Sequence, residues 1–322
     1  MIISSYCAKS RKGGKVTEFE KLEKCPDKNP SLLVKYTEMG NVLEVQYMSH
    51  RNNRQTIQML PGGEQYMELS TGEIKDVVHH DTRADNKKGL HKTFALARAL
   101  INTNVTDVSK VRWCTLTYGE NMTDTKRLYE DFRDFNKRFQ YFCKQKGYSK
   151  AEYIVMMEPQ GRGAWHAHLL YIWQDMKAPY IPNETFRELW GHGFVRIKKL
   201  DNVDNVGAYL TAYLGDMEIE KCNIADFDSK DVKIAEIEDE DGKKVSKAFV
   251  KGARLNLYPA NFNMIRTSRG IKRPEPEFIS QEWAEKKVLG ATKTFEKTVR
   301  LKDNEHNFES VINTCYYNKA RK

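Results

Sequence analysis

Between residues 111 and 173 two hydrophobic rhythms alternate, and their succession limits the fold more than any other feature of the sequence. Val111-Arg112-Trp113-Cys114-Thr115-Leu116-Thr117-Tyr118 is rich in β-branched and aromatic residues, as a strand requires. Leu128, Phe132, Phe135, Phe139 and Phe142 then recur at steps of 4, 3, 4 and 3, which draws one apolar stripe along an α-helix. Thr123 or Asp124 can cap this helix, it runs to about Gln145, and Gly147 stops it. The phenylalanines are core packing, and the surface they need is a sheet. Glu152–Met157 and Ala164–Trp173 supply two more strands, joined through Pro159-Gln160-Gly161-Arg162-Gly163. A short helix at Glu184–Trp190, a strand at Phe194–Ile197 and a helix from Asn205 to Leu214 follow. Because the second and third strands form a hairpin, the sheet is mainly antiparallel. The expected class is α+β, a central antiparallel β-sheet flanked by helices.

The flanks are less regular. Residues 1–105 read as an N-terminal accessory region: a basic loop from Lys9 to Lys24, strands and hairpins between Leu32 and Leu69, and a helix with Leu90, Phe94, Ala97 and Ile101 on one face. Its Lys87, Lys88, Lys92 and Arg98 can meet DNA or simply solvate the helix. Residues 106–216 form the expected core. Residues 217–322 form a C-terminal accessory region: an acidic segment, an extended run from Lys247 to Tyr258, a basic turn from Arg266 to Pro274, a helix over 280–300 and a loose end of twenty residues.

Charge sharpens this division. The 53 Lys and Arg outnumber the 44 Asp and Glu, for a net +9. Residues 216–241 hold eleven acidic residues against three lysines, a local charge of −8, which leaves +17 on the rest. A basic surface of that size suits a polyanion, because each cation that neutralises a phosphate releases a counterion. Surface solvation alone is the alternative. The acidic segment reads as a solvated hairpin around Asp241-Gly242. No apolar stretch approaches the ~18 residues of a membrane span, and the first residues lack a signal-peptide layout, so a cytoplasmic protein is expected. The six cysteines contain no C-x-x-C pair, which argues against a disulfide framework or a cysteine zinc site.

The chemistry therefore falls to histidine, glutamate and tyrosine. Trp165-His166-Ala167-His168-Leu169-Leu170 places two imidazoles at i and i+2 of a strand, on one face. Two core histidines would read the same way. Glu158, at the end of the preceding strand, comes into lateral register with them across the hairpin. Glu158, His166 and His168 then make a three-ligand set whose mixed oxygen and nitrogen donors suit Mg²⁺ or Mn²⁺ and do not exclude Zn²⁺. Tyr209 and Tyr213, at i and i+4, share one side of the last core helix. An aromatic stripe packed on the sheet is one reading. The other is a nucleophile pair, since a tyrosine hydroxyl near a divalent ion attacks phosphodiesters. His79-His80, His192 and Tyr316-Tyr317 read as surface, turn and tail residues. No G-x-x-x-x-G-K-[ST] motif occurs, so unwinding would need a separate helicase.

Taken together, Thr115-Leu116-Thr117-Tyr118, Glu158 with His166-Ala167-His168, and Tyr209-x-x-x-Tyr213 resemble the motifs of the HUH endonucleases, in particular the two-tyrosine rolling-circle replication initiators (Rep proteins) of phages, plasmids and integrated elements. Lys251 to Pro259 and Arg266 to Pro274 look like this group as well. The resemblance implies an HUH-type core in which Glu158, His166 and His168 hold Mg²⁺ or Mn²⁺. Tyr209 would cleave one strand of origin DNA to leave a 5′-phosphotyrosyl link and a 3′-OH, and Tyr213 would serve a second cleavage. Single-stranded or hairpin origin DNA, a host helicase and a host polymerase are the implied partners, in the cytoplasm of a bacterial host. A conjugative relaxase or a non-catalytic DNA-binding repressor are the alternatives. Many relatives carry a lysine three residues after the first tyrosine; here Ala212 stands there, and Asp216 stands three after Tyr213.

Overall fold

The structure is a computed structural model that describes residues 17–51, 55–79, 81–85, 87–200, 205–211, 217–218, 232–238, 244–250, 254–303 and 308–321. The first half contains β1 (Thr17–Leu22), β2 (Val34–Met39), β3 (Val42–Met48), β4 (Ile57–Met59), β5 (Gln65–Glu68), β6 (Ile74–Asp76), α1 (Lys87–Asn104), β7 (Val111–Tyr118), α2 (Thr125–Gln145) and β8 (Ala151–Pro159). Then come β9 (Trp165–Trp173), α3 (Asn183–Trp190), β10 (Gly193–Lys198), α4 (Val206–Thr211), β11 (Met217–Glu218), β12 (Val232–Glu238), β13 (Lys244–Val250), β14 (Ile265–Thr267), β15 (Pro276–Ile279), α5 (Gln281–Val288), β16 (Thr292–Asp303) and β17 (Phe308–Asn318). The class is α+β. No helix among the described residues is long and apolar enough to cross a membrane.

The chain separates into two compact units, Met1–His79 with Pro274–Lys322, and His80–Arg273. These units run across the expected limits at 105/106 and 216/217. Helix α1 and residues 254–273 belong with the core, and the two ends of the chain belong together. In the first unit the antiparallel order is β1-β16-β17-β3-β2-β15, so strands from both ends share one sheet. Val34 and Tyr47 pack with Ala284 of α5. Two expectations are corrected here. The helix expected over 280–300 covers only Gln281–Val288, capped by Ser280, whose Oγ accepts from the Trp283 N–H at 3.2 Å. Thr292, Thr294, Thr298 and Val299 continue as β16, as suits β-branched residues. The final twenty residues are no loose end: β17 lies between β16 and β3, and the Tyr316 hydroxyl donates to Glu44 Oε1 at 3.0 Å.

The second unit carries the predicted strand–helix–hairpin core. Its sheet has the order β10-β7-β9-β8-β14, antiparallel throughout. Asp124 caps α2, its Oδ1 accepting from the N–H groups of Lys126 and Arg127 at 2.8 and 3.3 Å. Leu128, Phe132, Phe135 and Phe139 are buried with Cys143, and Phe142 packs at the margin. Strand pairing sorts the side chains into two faces. Cys114, Leu116, Val155, Met157, Ala167, Leu169, Tyr171 and Trp173 form the face that α2 and α3 cover. Ile154, Met156, Leu170 and Ile172 form the other, which α1 and α4 cover through Ala97, Leu100, Ile101, Val206 and Leu210. The acidic segment is framed by a hairpin of β12 and β13 that ends at Glu238 opposite Lys244, while residues 239–243 lie outside the described residues. Lys247–Tyr258 is extended only as far as Val250, and Leu255–Leu257 forms a 3₁₀ turn.

Candidate active site

The β8–β9 hairpin sets the site. It closes through the Gln160 N–H donating to the Ala164 carbonyl at 2.7 Å and the Gly163 N–H donating to the Gln160 carbonyl at 2.8 Å. Gly163 has φ 87°, a conformation that favours glycine. This turn places Glu158 directly opposite His166, and Met156 opposite His168. Across β7, Thr117 stands opposite His166 and Thr115 opposite His168. Trp165, Ala167 and Leu169 are buried on the α2/α3 face. Both histidines therefore project from the other face, the one that α1 and α4 cover.

Glu158 is buried, and its carboxylate has two partners: His168 Nε2 lies 3.2 Å from Oε2, and the Arg254 guanidinium lies 3.1 Å from Oε1. With its Nε2 proton directed at Glu158, His168 offers Nδ1 to the Thr115 hydroxyl at 3.4 Å. Trp113 stacks flat on the same imidazole, centroids 5.4 Å apart and planes 6° from parallel. Carboxylate, hydroxyl and indole thus fix the orientation of His168. His166 has a different environment. Burial pushes its pKa down to about 3, helped by His168, Arg254 and Arg162 and opposed by Glu158, so the ring is neutral at neutral pH. Its Nε2 is buried without a hydrogen-bond partner among the described residues.

The fit to a divalent cation is one of kind more than of assembled geometry. The carboxylate and the two imidazoles share a face, and a neutral imidazole with an unsatisfied buried nitrogen is a natural ligand. Among the described residues, however, no three His, Cys, Asp or Glu side chains converge on one point, and the two rings stand 6.1 Å apart.

Helix α4 brings the Tyr209 backbone to this face. Val206 and Leu210 are buried against the cluster that includes Ile154, Met156 and Leu170. Asn205 Oδ1 accepts from the Ala208 N–H at 3.0 Å, and buried Asn102 of α1 accepts from the Gly207 N–H at 2.8 Å. Gly207 sits so close to α1 that a Cβ there would lie 2.6 Å from the Arg98 carbonyl oxygen. The side chain of Tyr209, and all of Ala212, Tyr213 and Asp216, lie outside the described parts of the chain.

Three contacts escape a reading of the sequence alone. Trp113 and Thr115 have the strand parity that puts them beside His168, a signal present in the sequence once β7 is paired with β9. Arg254 has no such signal, because its approach to Glu158 depends on a connection ninety-odd residues long. The basic turn is anchored as well as charged. Arg266 lies 3.4 Å from the centroid of the Tyr129 ring, and Glu152 accepts from Lys150 Nζ at 2.6 Å and from the Gly270 N–H at 3.1 Å.

Residues 111–218, a third of the chain, match a family model of replication-associated proteins of the ORF2 type. No curated protein and no solved structure matches the chain. The matched stretch runs from β7 through Glu158, His166, His168, Tyr209 and Tyr213 to β11, and it supports a Rep-type replication initiator that works on DNA.

Proposed function

We propose that the protein is a rolling-circle replication initiator of the HUH, two-tyrosine type that nicks and rejoins single-stranded origin DNA. One observation carries the reading: Glu158, His166 and His168 project from the same sheet face on which the Tyr209-bearing helix packs, within the stretch that matches replication-associated proteins. In this reading the Tyr209 phenolic oxygen attacks the scissile phosphorus and the P–O3′ bond breaks. The tyrosyl proton is lost to solvent or a base, and the leaving 3′ oxygen gains one. The products are a 5′-phosphotyrosyl bond and a 3′-OH able to prime synthesis, and Tyr213 performs a second transfer. Glu158, His166 and His168 are the groups that would hold Mg²⁺ or Mn²⁺. Such an ion withdraws charge from the non-bridging phosphate oxygens and opens phosphorus to attack.

The protein's own residues do the positioning. Thr115 and Trp113 orient His168. Arg254 fixes Glu158 and brings a cation to the site, in a chain where Ala212 occupies the position at which relatives carry lysine. A host helicase and polymerase, in the cytoplasm of a bacterial host, would extend the primed strand.

The test is incubation with a single-stranded oligonucleotide from the replicon's own origin and Mn²⁺, followed by a denaturing gel. A covalent adduct is expected, lost in Tyr209→Phe. His168→Ala should abolish cleavage while most of the oligonucleotide affinity survives, because phosphate contacts come chiefly from Lys and Arg. An adduct that persists in both Tyr209→Phe and Tyr213→Phe would overturn the tyrosine assignment, and unchanged cleavage in His168→Ala would remove the metal.

A further inference from the structure

On the opposite face of the same sheet, the one covered by α2 and α3, lies a cavity of ≈ 330 Å³ lined in part by Arg112, Trp173, Tyr180, Asn183, Phe186 and Lys199. Arg112 pairs with Tyr171 and Trp173 with Ala151, so both point away from the histidine face. Trp173 and Phe186 are buried, whereas Tyr180 is 83% exposed, an aromatic ring offered to solvent beside an aromatic-floored cavity. The Trp173 Nε1–H is buried and has no hydrogen-bond partner among the described residues. The Arg112 guanidinium is held by donation to the Val111 and Ala178 carbonyls, which presets its direction.

Each of these features narrows the ligand. Aromatic walls ask for a flat ring. A buried indole N–H asks for an acceptor on that ring, since buried donors are nearly always paired. Two cationic side chains ask for an anion at its edge. We infer that this cavity binds a nucleotide, its base held against Tyr180 and accepting from Trp173 Nε1, its phosphate met by Arg112 and Lys199. The inference is independent of the nicking reading, because none of these residues lies on the face that carries Glu158, His166 and His168. The nucleotide can be a free monophosphate or one unit of a single strand led across the protein.

The two sources are separated by titrating the full-length protein with the four deoxynucleoside monophosphates by calorimetry and with a labelled fifteen-nucleotide oligo(dT) by fluorescence anisotropy. Wild type is compared with Tyr180→Ala, Lys199→Gln and Trp173→Phe. Monophosphate binding weakened fivefold or more in Tyr180→Ala and Lys199→Gln identifies a free-nucleotide site. An equal loss confined to the oligonucleotide identifies a strand-binding site. Trp173→Phe, which keeps the ring and removes the donor, should weaken binding in either case. Because Tyr180 is exposed, Tyr180→Ala tests the cavity without endangering the core. Unchanged affinity for both ligands in Tyr180→Ala and Lys199→Gln would overturn the proposal. Covalent adduct formation at saturating oligonucleotide, measured in parallel, is expected to persist in Tyr180→Ala, so failure of the cavity and failure of the nicking reading are told apart.

Discussion

Arg254 joins two parts of the site, because its guanidinium lies 3.1 Å from a buried carboxylate that also faces His168. Removing its charge leaves Glu158 buried beside one imidazole, and breaking such a pair costs about 3–5 kcal/mol when no group replaces the partner. Arg254→Gln is therefore expected to lower the cleavage rate at least a hundredfold with less than a threefold change in oligonucleotide affinity. Arg254→Lys, which restores the charge but not the planar fork, should recover part of the rate. Equal losses in both variants would mean that the charge itself is unimportant. Away from the site, Glu152 makes acid sensitivity testable. Burial raises its pKa, but bonds from Lys150, Ser268 and the Gly270 amide outweigh that and leave it below the ordinary carboxylate value. A carboxyl whose folded pKa is depressed stabilises the fold above its unfolded value, about 4.3, and that stabilisation is lost as pH falls through the lower folded value. The difference in thermal midpoint between wild type and Glu152→Gln should thus be full at pH 6 and close as the pH drops below 4. A difference that stays constant to pH 2 would contradict this role.

At the scale of elements, the approach of α4 to α1 decides where Tyr209 stands. Adding a methyl at Gly207 would drive a Cβ to 2.6 Å from the Arg98 carbonyl oxygen and 2.7 Å from Asn102 Oδ1. Gly207→Ala is expected to displace α4 and cut cleavage more than tenfold, while circular dichroism reports a helical content close to wild type. Wild-type cleavage in this variant would show that the position of α4 is not critical. Helix α2 and the β8–β9 hairpin are legible in the sequence because each carries its own signal: a phenylalanine stripe of helical period, an aspartate cap and a glycine-bearing turn. From that turn the face shared by Glu158, His166 and His168 follows directly. The segment after Ser280 misleads because Gln281–Val288 is truly helical and the strand behind it is exposed along much of its length, so alternation between a wet and a dry side is weak. The tail misleads for a related reason: β17 is specified by β3, some 270 residues earlier, and no local rhythm encodes such a pairing. Arg254 belongs to the same class of long-range contact.

For the molecule as a whole, the sheet of the first unit is built from both chain ends, and the second unit carries both the candidate active site and the cavity. The net +9 understates the charge available to DNA, because an acidic hairpin offsets part of it. Single-strand affinity should consequently fall steeply with salt, log K losing about 0.7 per neutralised phosphate for each unit of log salt. Anisotropy titrations between 50 and 300 mM salt measure this slope, and a flat response would detach the basic surface from DNA binding. The central claim, that the face carrying Glu158, His166 and His168 serves a tyrosine on α4, is tested most directly by locating the covalent bond. Peptide mass spectrometry of the adduct trapped with an origin oligonucleotide and Mn²⁺ is predicted to find the 5′-phosphate on Tyr209, with no adduct formed by His168→Ala. A phosphate attached to a residue other than Tyr209 or Tyr213, or an undiminished adduct in His168→Ala, would contradict it.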